Sequence, residues 1–311
     1  MSPVVISLLT SIAIFGILAV SLGLLSGHLG IFSMAHAALF GIGSYTFAFL
    51  TVKVGVDPII SGAVAIGIAG LGGLVMAIPA LRVTGDYFLV ASFAMQVVAS
   101  SVFDNWNAVT GGTTGIPGIL RPSFGSVTFF NNQSFLSICI VVLVLVTALT
   151  WFIVRSPFGR MLHVIRDDEV VAATLGKPIV KSKLVVTLVS GMFAGVAGIL
   201  YAQYLQYISP GSFEVGTSVA IITMIIVGGM TSVIGTVVGA AIITLIPEAF
   251  KLLSLPPTLA GPLQQVFFGS LIIVLMFVRP QGIFGERVNR RRARTLIDDN
   301  TTSIRTVKLN A

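Results

Sequence analysis

Residues 155–183 read RSPFGRMLHVIRDDEVVAATLGKPIVKSK, a charged island in an oily chain. Apolar runs flank it, 134–154 before and 184–206 after, and a run of about 20 apolar residues is enough to cross a bilayer. Within the island the residues predict a short amphipathic helix. Asp167, Asp168 and Glu169 crowd its first turn, where the helix dipole favours negative charge. Ala172 and Ala173 follow, and Gly176 with Pro178 supplies the stop. Two readings stand: a solvated connector between spans, or a helix whose slim Ala-Ala face docks into a partner's cleft. A connector has no use for a capped helix with a narrow face, which favours docking.

Composition sets the class. The 311 residues are 55% hydrophobic and 9% charged, where a soluble domain is about a quarter charged. The fold is therefore read as all-α, a polytopic transmembrane helix bundle. A net charge of +7 suits a nucleic-acid binder only if it is spread over a surface, but of 18 Lys and Arg six lie in 155–183 and eight in 279–308. Clustering of this kind marks cytoplasmic segments. The Arg-rich run 290–294 is expected to meet anionic lipid headgroups. Cys139 is the lone cysteine and sits mid-span, which excludes a disulfide framework and a cysteine metal site.

The first span is 4–25. No basic residue precedes it and no small-residue cleavage site follows, so it reads as a span and not a signal peptide, with the N-terminus outside. Residues 27–52, GHLGIFSMAHAALFGIGSYTFAFLTV, are the most polar stretch at membrane depth. Its glycines loosen the helix, and Ser33, His36 and Ser44 add hydrogen-bonding groups. With Gln96 of a later span they are candidates for a translocation path. The alternative is packing through small residues and, for His36, a hydrogen bond inside the bundle. Spans at 58–81 and 87–103 follow, the latter with Asp86 as its cap. The loop 104–133 carries one basic residue, Arg121, and dense turn chemistry, and is placed outside.

Parity governs the second half. Both 155–183 and 279–311 are cytoplasmic by charge, so an even number of crossings separates them. Residues 184–206 and 262–278 supply one each. Residues 216–247 are too long for one crossing at about 1.5 Å per residue, and read as two short spans meeting at Gly228-Gly229. About nine spans result. Gly191-x-x-x-Gly195 and Gly235-x-x-x-Gly239 predict close helix contacts. Residues 1–286 form one transmembrane domain with 155–183 as its cytoplasmic coupling loop, and 287–311 form a basic cytoplasmic tail, read as flexible.

Enzyme signatures are missing: no H-E-x-x-H, no G-x-S-x-G, no Cys/His cluster and no G-x-x-x-x-G-K-[ST] phosphate loop. Charged residues within spans are scarce, which weighs against an ion-coupled carrier.

Three segments, GHLGIFSMAHAALFGIGSYTFAF, LRVTGDYFLVASFAMQVVASSVFDNWNAVTGGTTGI and RSPFGRMLHVIRDDEVVAATLGKPIVKSKLVVTLVSGMFAGVAGILYA, resemble the LivM-like permease subunits of branched-chain amino-acid ABC importers. The resemblance covers about 23–285. It implies a multi-pass protein of the bacterial inner (plasma) membrane that pairs with a second, homologous permease. It further implies two ABC ATPases, which carry the ATP-Mg, and an extracytoplasmic binding protein; this chain itself takes no cofactor. Glu169–Gly176 is similar to the coupling motif of such permeases, an E-A-A triplet followed by Gly, with Val170-Val171 intervening. Asp168, Glu169, Ala172, Ala173, Leu175 and Gly176 are thereby implied as ATPase-coupling residues. Leucine, isoleucine and valine are the implied substrates; related systems carry urea and short amides. A rival of another class is an ATP-independent channel or secondary carrier.

Overall fold

Runs that are apolar on every side form helices buried by other helices, and this chain begins with one. α1 (Pro3–Gly23) continues as a wider π-turn over Leu24–His28. After a non-helical stretch, α2 (His36–Ala48) runs on into a second π-turn, Phe49–Val54, closed by Gly55 at φ 77°. α3 (Pro58–Ala80) starts with proline in its first turn, and the Asp57 carboxylate accepts from Ile59 N at 2.8 Å. α4 (Asp86–Asn105) and the short α5 (Asn107–Thr110) follow. The computed structural model describes residues 2–83, 85–121, 123–124, 127–128 and 132–252, with 263, 266–271, 273–274, 277 and 282–284.

The loop after α5 is held by four glycines at positive φ, Gly111, Gly112, Gly115 and Gly118. It contributes β1 (Ile116–Pro117) and an antiparallel pair, β2 (Ser123–Phe124) with β3 (Val127–Thr128). α6 (Asn132–Arg155) then returns along the bundle. The charged island holds two helices, α7 (Pro157–Asp167) and α8 (Glu169–Thr174), where the sequence suggested one. α9 (Ile179–Leu205) rises about 40 Å at 1.5 Å per residue and ends in β4 (Tyr207–Ile208), which pairs with β1, Ile116 opposite Ile208. α10 (Val215–Gly228) and α11 (Val233–Leu252) fold back on each other at Gly229, φ 104°.

Among the described residues, seven helical segments are long and apolar enough to cross a membrane, and Val233–Pro247 is a shorter apolar one. They match eight of the nine expected spans, including the two that meet at Gly228-Gly229. Of the ninth, 262–278, residues 263, 266–271, 273–274 and 277 are described and are helical, whereas the tail 287–311 lies outside the described residues. Two boundaries differ from expectation. The second span begins at His36, and Gly27 belongs to the end of the first. α4 starts at Asp86 itself, with Gly85 at φ 60° in the capping position.

α1, α2 and α9 form the centre and α6 the rim. Glycine sets the approach distances. A Cβ on Gly43 of α2 would stand 2.5 Å from Gly195 Cα of α9. Gly191 of α9 lies against Ala69, Gly70 and Gly73 of α3. Gly235 and Gly239 of α11 lie against Gly228 and Met224 of α10. Both small-xxx-small pairs therefore do what their spacing predicts: backbones touch, and dispersion contacts replace the missing hydrophobic drive between helices in lipid. At the far end Phe213 sits among Phe40, Tyr45, Phe103 and Tyr201, with ring centroids 5.2–6.1 Å from its own.

Candidate functional site: the α7–α8 knob and the α1–α2 break

Ser156 begins the knob. Its Oγ accepts from Gly159 N at 3.2 Å, and Pro157 fills the first helical position, the usual opening of a helix. Gly159, Leu162 and Ile165 of α7 face the bundle. The chain turns at Asp168 (φ −157°), whose carboxylate accepts from Val170 N at 2.8 Å and Val171 N at 3.0 Å and so caps α8. At the other end Lys177 N donates to Ala172 O and Gly176 N to Ala173 O, with Gly176 at φ 67°. This is the glycine-terminated stop in which two otherwise orphaned carbonyls are satisfied. α8 is short, yet both its ends are fixed.

Glu169 ties the knob to the spans. Its two oxygens accept from Lys183 Nζ at 2.8 and 2.9 Å, and the same Nζ donates to Ala80 O at 3.1 Å. One ammonium thus joins α8, the base of α9 and the end of α3. Lys183 is 5% exposed, so its charge requires the carboxylate. The exposed surface of α8 consists of Val170, Val171, Ala173, Thr174 and Leu175. Ala172 is fully covered by its own chain; of the small residues read as a docking face, Ala173 and Gly176 are the accessible ones.

α7 also grips the break between α1 and α2. Arg166 donates to Gly27 O at 2.5 Å and lies against Gly30, which adopts φ 79°. His163 stands edge-on to His28 at 5.3 Å between centroids. Beyond the break α2 starts inside the bundle, and its first N–H groups have no helical carbonyl to meet. Side chains from other helices meet them. Met34 N donates to Ser92 Oγ (3.0 Å), Ala37 N to Ser218 Oγ (3.2 Å) and Ala38 N to Gln96 Oε1 (2.8 Å), while Ala35 N uses Ser33 Oγ (3.2 Å). Gln96 Nε2 in turn donates to Phe213 O at 2.7 Å. Irregular backbone at membrane depth persists only where protein satisfies it in this way.

His36 opens α2. Its Nε2 is 2.9 Å from Ser21 Oγ and 3.3 Å from Ser190 Oγ. Each serine hydroxyl already donates to the other's backbone, Ser21 to Ser190 O at 2.6 Å and Ser190 to Ser21 O at 2.8 Å. With both hydroxyl protons committed, the imidazole must be the donor, which assigns the proton to Nε2. Ser44 lies two turns on and donates to Gly198 O at 2.8 Å, where α2 crosses α9. The structure therefore gathers Ser33, His36 and Gln96 around the start of α2 and leaves Ser44 at a packing contact; each is at most 1% exposed. Among the described residues, no group of three or more His, Cys, Asp or Glu side chains could hold a metal ion.

A family model described as branched-chain amino acid transport system / permease component matches residues 4–276. The chain belongs to this family. The high-affinity branched-chain amino acid transport system permease protein LivM of Salmonella typhimurium is 26% identical over 89% of this chain and 69% of its own length. A probable LivM of Methanocaldococcus jannaschii is 23% identical, over 75% of this chain and 70% of that protein. LivH of Escherichia coli K12 is 24% identical over 87% and 91%. This permease is a multi-pass membrane protein and a transport component, not an enzyme.

Sequence reasoning missed Ser21, Ser92, Ser190 and Ser218 of this permease, because serines are common in spans and their partners lie far along the chain. Ser156-Pro157 was a legible start signal for α7. The role of His36 is testable. His36→Ala removes the donor and opens a gap between three helices, at a cost of about 1–3 kcal/mol. The purified complex should unfold at a lower temperature, whereas His36→Gln, whose amide nitrogen can stand where Nε2 stands, should recover most of the loss. Equal melting of the Ala variant and wild type would remove His36 from the framework.

Proposed function

We propose that this chain is the membrane-spanning permease of an ATP-driven importer for leucine, isoleucine and valine. It pairs with a second, homologous permease, rests on two ABC ATPases that carry ATP-Mg, and receives substrate from an extracytoplasmic binding protein at the bacterial cell membrane. The observation that carries the reading is α8. It is capped at both ends, presents Val170 (73% exposed) and Leu175 (61% exposed), and is wired through Glu169 and Lys183 to two spans. Apolar side chains held rigidly on a charged knob suit burial against a partner. When the ATPases close, α8 and α7 move as a unit. Lys183 then carries the displacement to α3 and α9, and Arg166 carries it to the break before α2. The family match and the LivM relatives support the substrate assignment.

Reconstitution of the permease pair, ATPases and binding protein in liposomes tests the proposal: leucine should accumulate only with ATP inside. Accumulation without ATP or ATPases would give the protein to the channel-or-carrier class instead. Topology is tested separately. In a Cys139→Ser background, Asp167→Cys should react with a membrane-impermeant thiol reagent only after the cytoplasmic side is opened. Reaction from outside on intact cells would overturn the placement of 155–183 and the C-terminus in the cytoplasm.

A further inference from the structure

Val97, Ser100, Ser101 and Asp104 follow i, i+3, i+4, i+7 spacing and so share one face of α4. With Glu214 and Val219 beside them, at and after the start of α10, they line a groove of about 490 Å³. The groove opens at the end of the bundle opposite α7–α8 and reaches from Asp104 down to Val97, ~10 Å at the helical rise. Asp104 at the end of α4 and Glu214 just before α10 stand at the mouth of the groove, with the Ser100 and Ser101 hydroxyls further in; such groups face water or protein, not hydrocarbon. Neither carboxylate is ion-paired among the described residues. A packed protein partner would have to neutralise both charges, whereas a water-filled passage needs no such match.

The chemistry of the groove is complementary to one class of solute. Asp104 and Glu214 accept from an ammonium group. Ser100 Oγ accepts from Gln96 Nε2 at 3.3 Å, which leaves its own proton to donate to a carboxylate. Val97 and Val219 provide apolar wall for an aliphatic side chain. We propose that this groove is the outer section of the substrate path and that Asp104 and Glu214 receive the α-ammonium of a zwitterionic, aliphatic amino acid. The inference rests on the import reading above and assigns residues to it.

The test uses the reconstituted four-component transporter with saturating, leucine-loaded binding protein. The double variant Asp104→Asn, Glu214→Gln should slow leucine uptake on the order of tenfold, the value of one lost charge-assisted contact. The charge-keeping variant Asp104→Glu should retain most of the rate. In the assembled Cys139→Ser complex, Ser101→Cys should react with a water-soluble thiol reagent added outside. A wild-type uptake rate in the neutral double variant overturns the inference and leaves the import reading intact. If the neutral variant does not co-purify with its partners, the Ser101→Cys result decides: an unreactive thiol means that the face is packed against protein, and the path assignment fails. If wild type moves urea and none of the three amino acids, the import reading fails on substrate, and the ammonium assignment falls with it.

Discussion

Gly191→Leu is expected to prevent recovery of a folded permease. A single Cβ at that position would meet Ala69 O at 2.6 Å and the Cα atoms of Gly70 and Gly73 at 3.2 Å. All three are backbone atoms, so no rotamer change on α3 relieves the clash and the two helices must part. Overpacking a yielding core costs about 1–3 kcal/mol; four carbons driven between two helix backbones exceed that range. In lipid the loss is compounded, because close packing is itself the force that holds the helices together. Gly62→Leu is the control, since a Cβ there meets nothing within 4 Å. Size-exclusion profiles of detergent-extracted protein decide the matter: a sharp peak for Gly62→Leu and none for Gly191→Leu is the expected pair. Equal peaks would mean that the α3–α9 crossing is not the framework of this bundle.

The second large effect concerns coupling. Leu175→Asp replaces an exposed apolar side chain of α8 by a charge. If Leu175 is buried against an ATPase, its removal forfeits about 1.5–3 kcal/mol, a loss of roughly 10- to 100-fold in docking. Desolvation of the new carboxylate adds to this. Gly176→Trp acts differently: space is open around it, but φ 67° is a left-handed conformation that costs a side-chain-bearing residue about 1–2 kcal/mol. Docking should weaken roughly tenfold or less. Co-purification of the ATPases and substrate-stimulated ATP hydrolysis should fall in the order Leu175→Asp below Gly176→Trp below wild type. Unchanged values for Leu175→Asp would return the island to a solvated connector.

Local grammar was legible. Glu169 in the first turn, Gly176 as a stop, and the glycine pairs at 191/195 and 235/239 all behave as their spacing predicts, because each depends on neighbours within one or two turns, whereas Asp168 caps the helix from outside it and Asp167 ends α7. Relations set by the assembled bundle were not. The partner of Glu169 is Lys183, fourteen residues on and one helix away, and no local pattern marks it. Ala172 was read with the docking face because helical periodicity gives the angle between residues, not the rotation of the helix against its neighbours. The start of the second span was placed too early for a related reason. Gly27 is helical because α1 carries on to His28 in a wider turn against Met230 and α7, contacts that a propensity for bending does not foresee.

The caps on α2 also impose an order on biosynthesis. The acceptor for Ala38 N is 58 residues downstream and that for Ala37 N is 181 residues downstream. While the ribosome is still making α3, the donors at 34, 37 and 38 lack the side-chain acceptors that meet them in the folded chain, and each bare amide in hydrocarbon costs several kcal/mol. The nascent segment must therefore stay hydrated at the mouth of the insertion machinery, or wind onto α1 as ordinary helix, until Ser92, Gln96 and finally Ser218 arrive. Seating of this half-helix is a post-insertion step that closes the bundle, and a ribosome-bound chain ending before α10 cannot complete it.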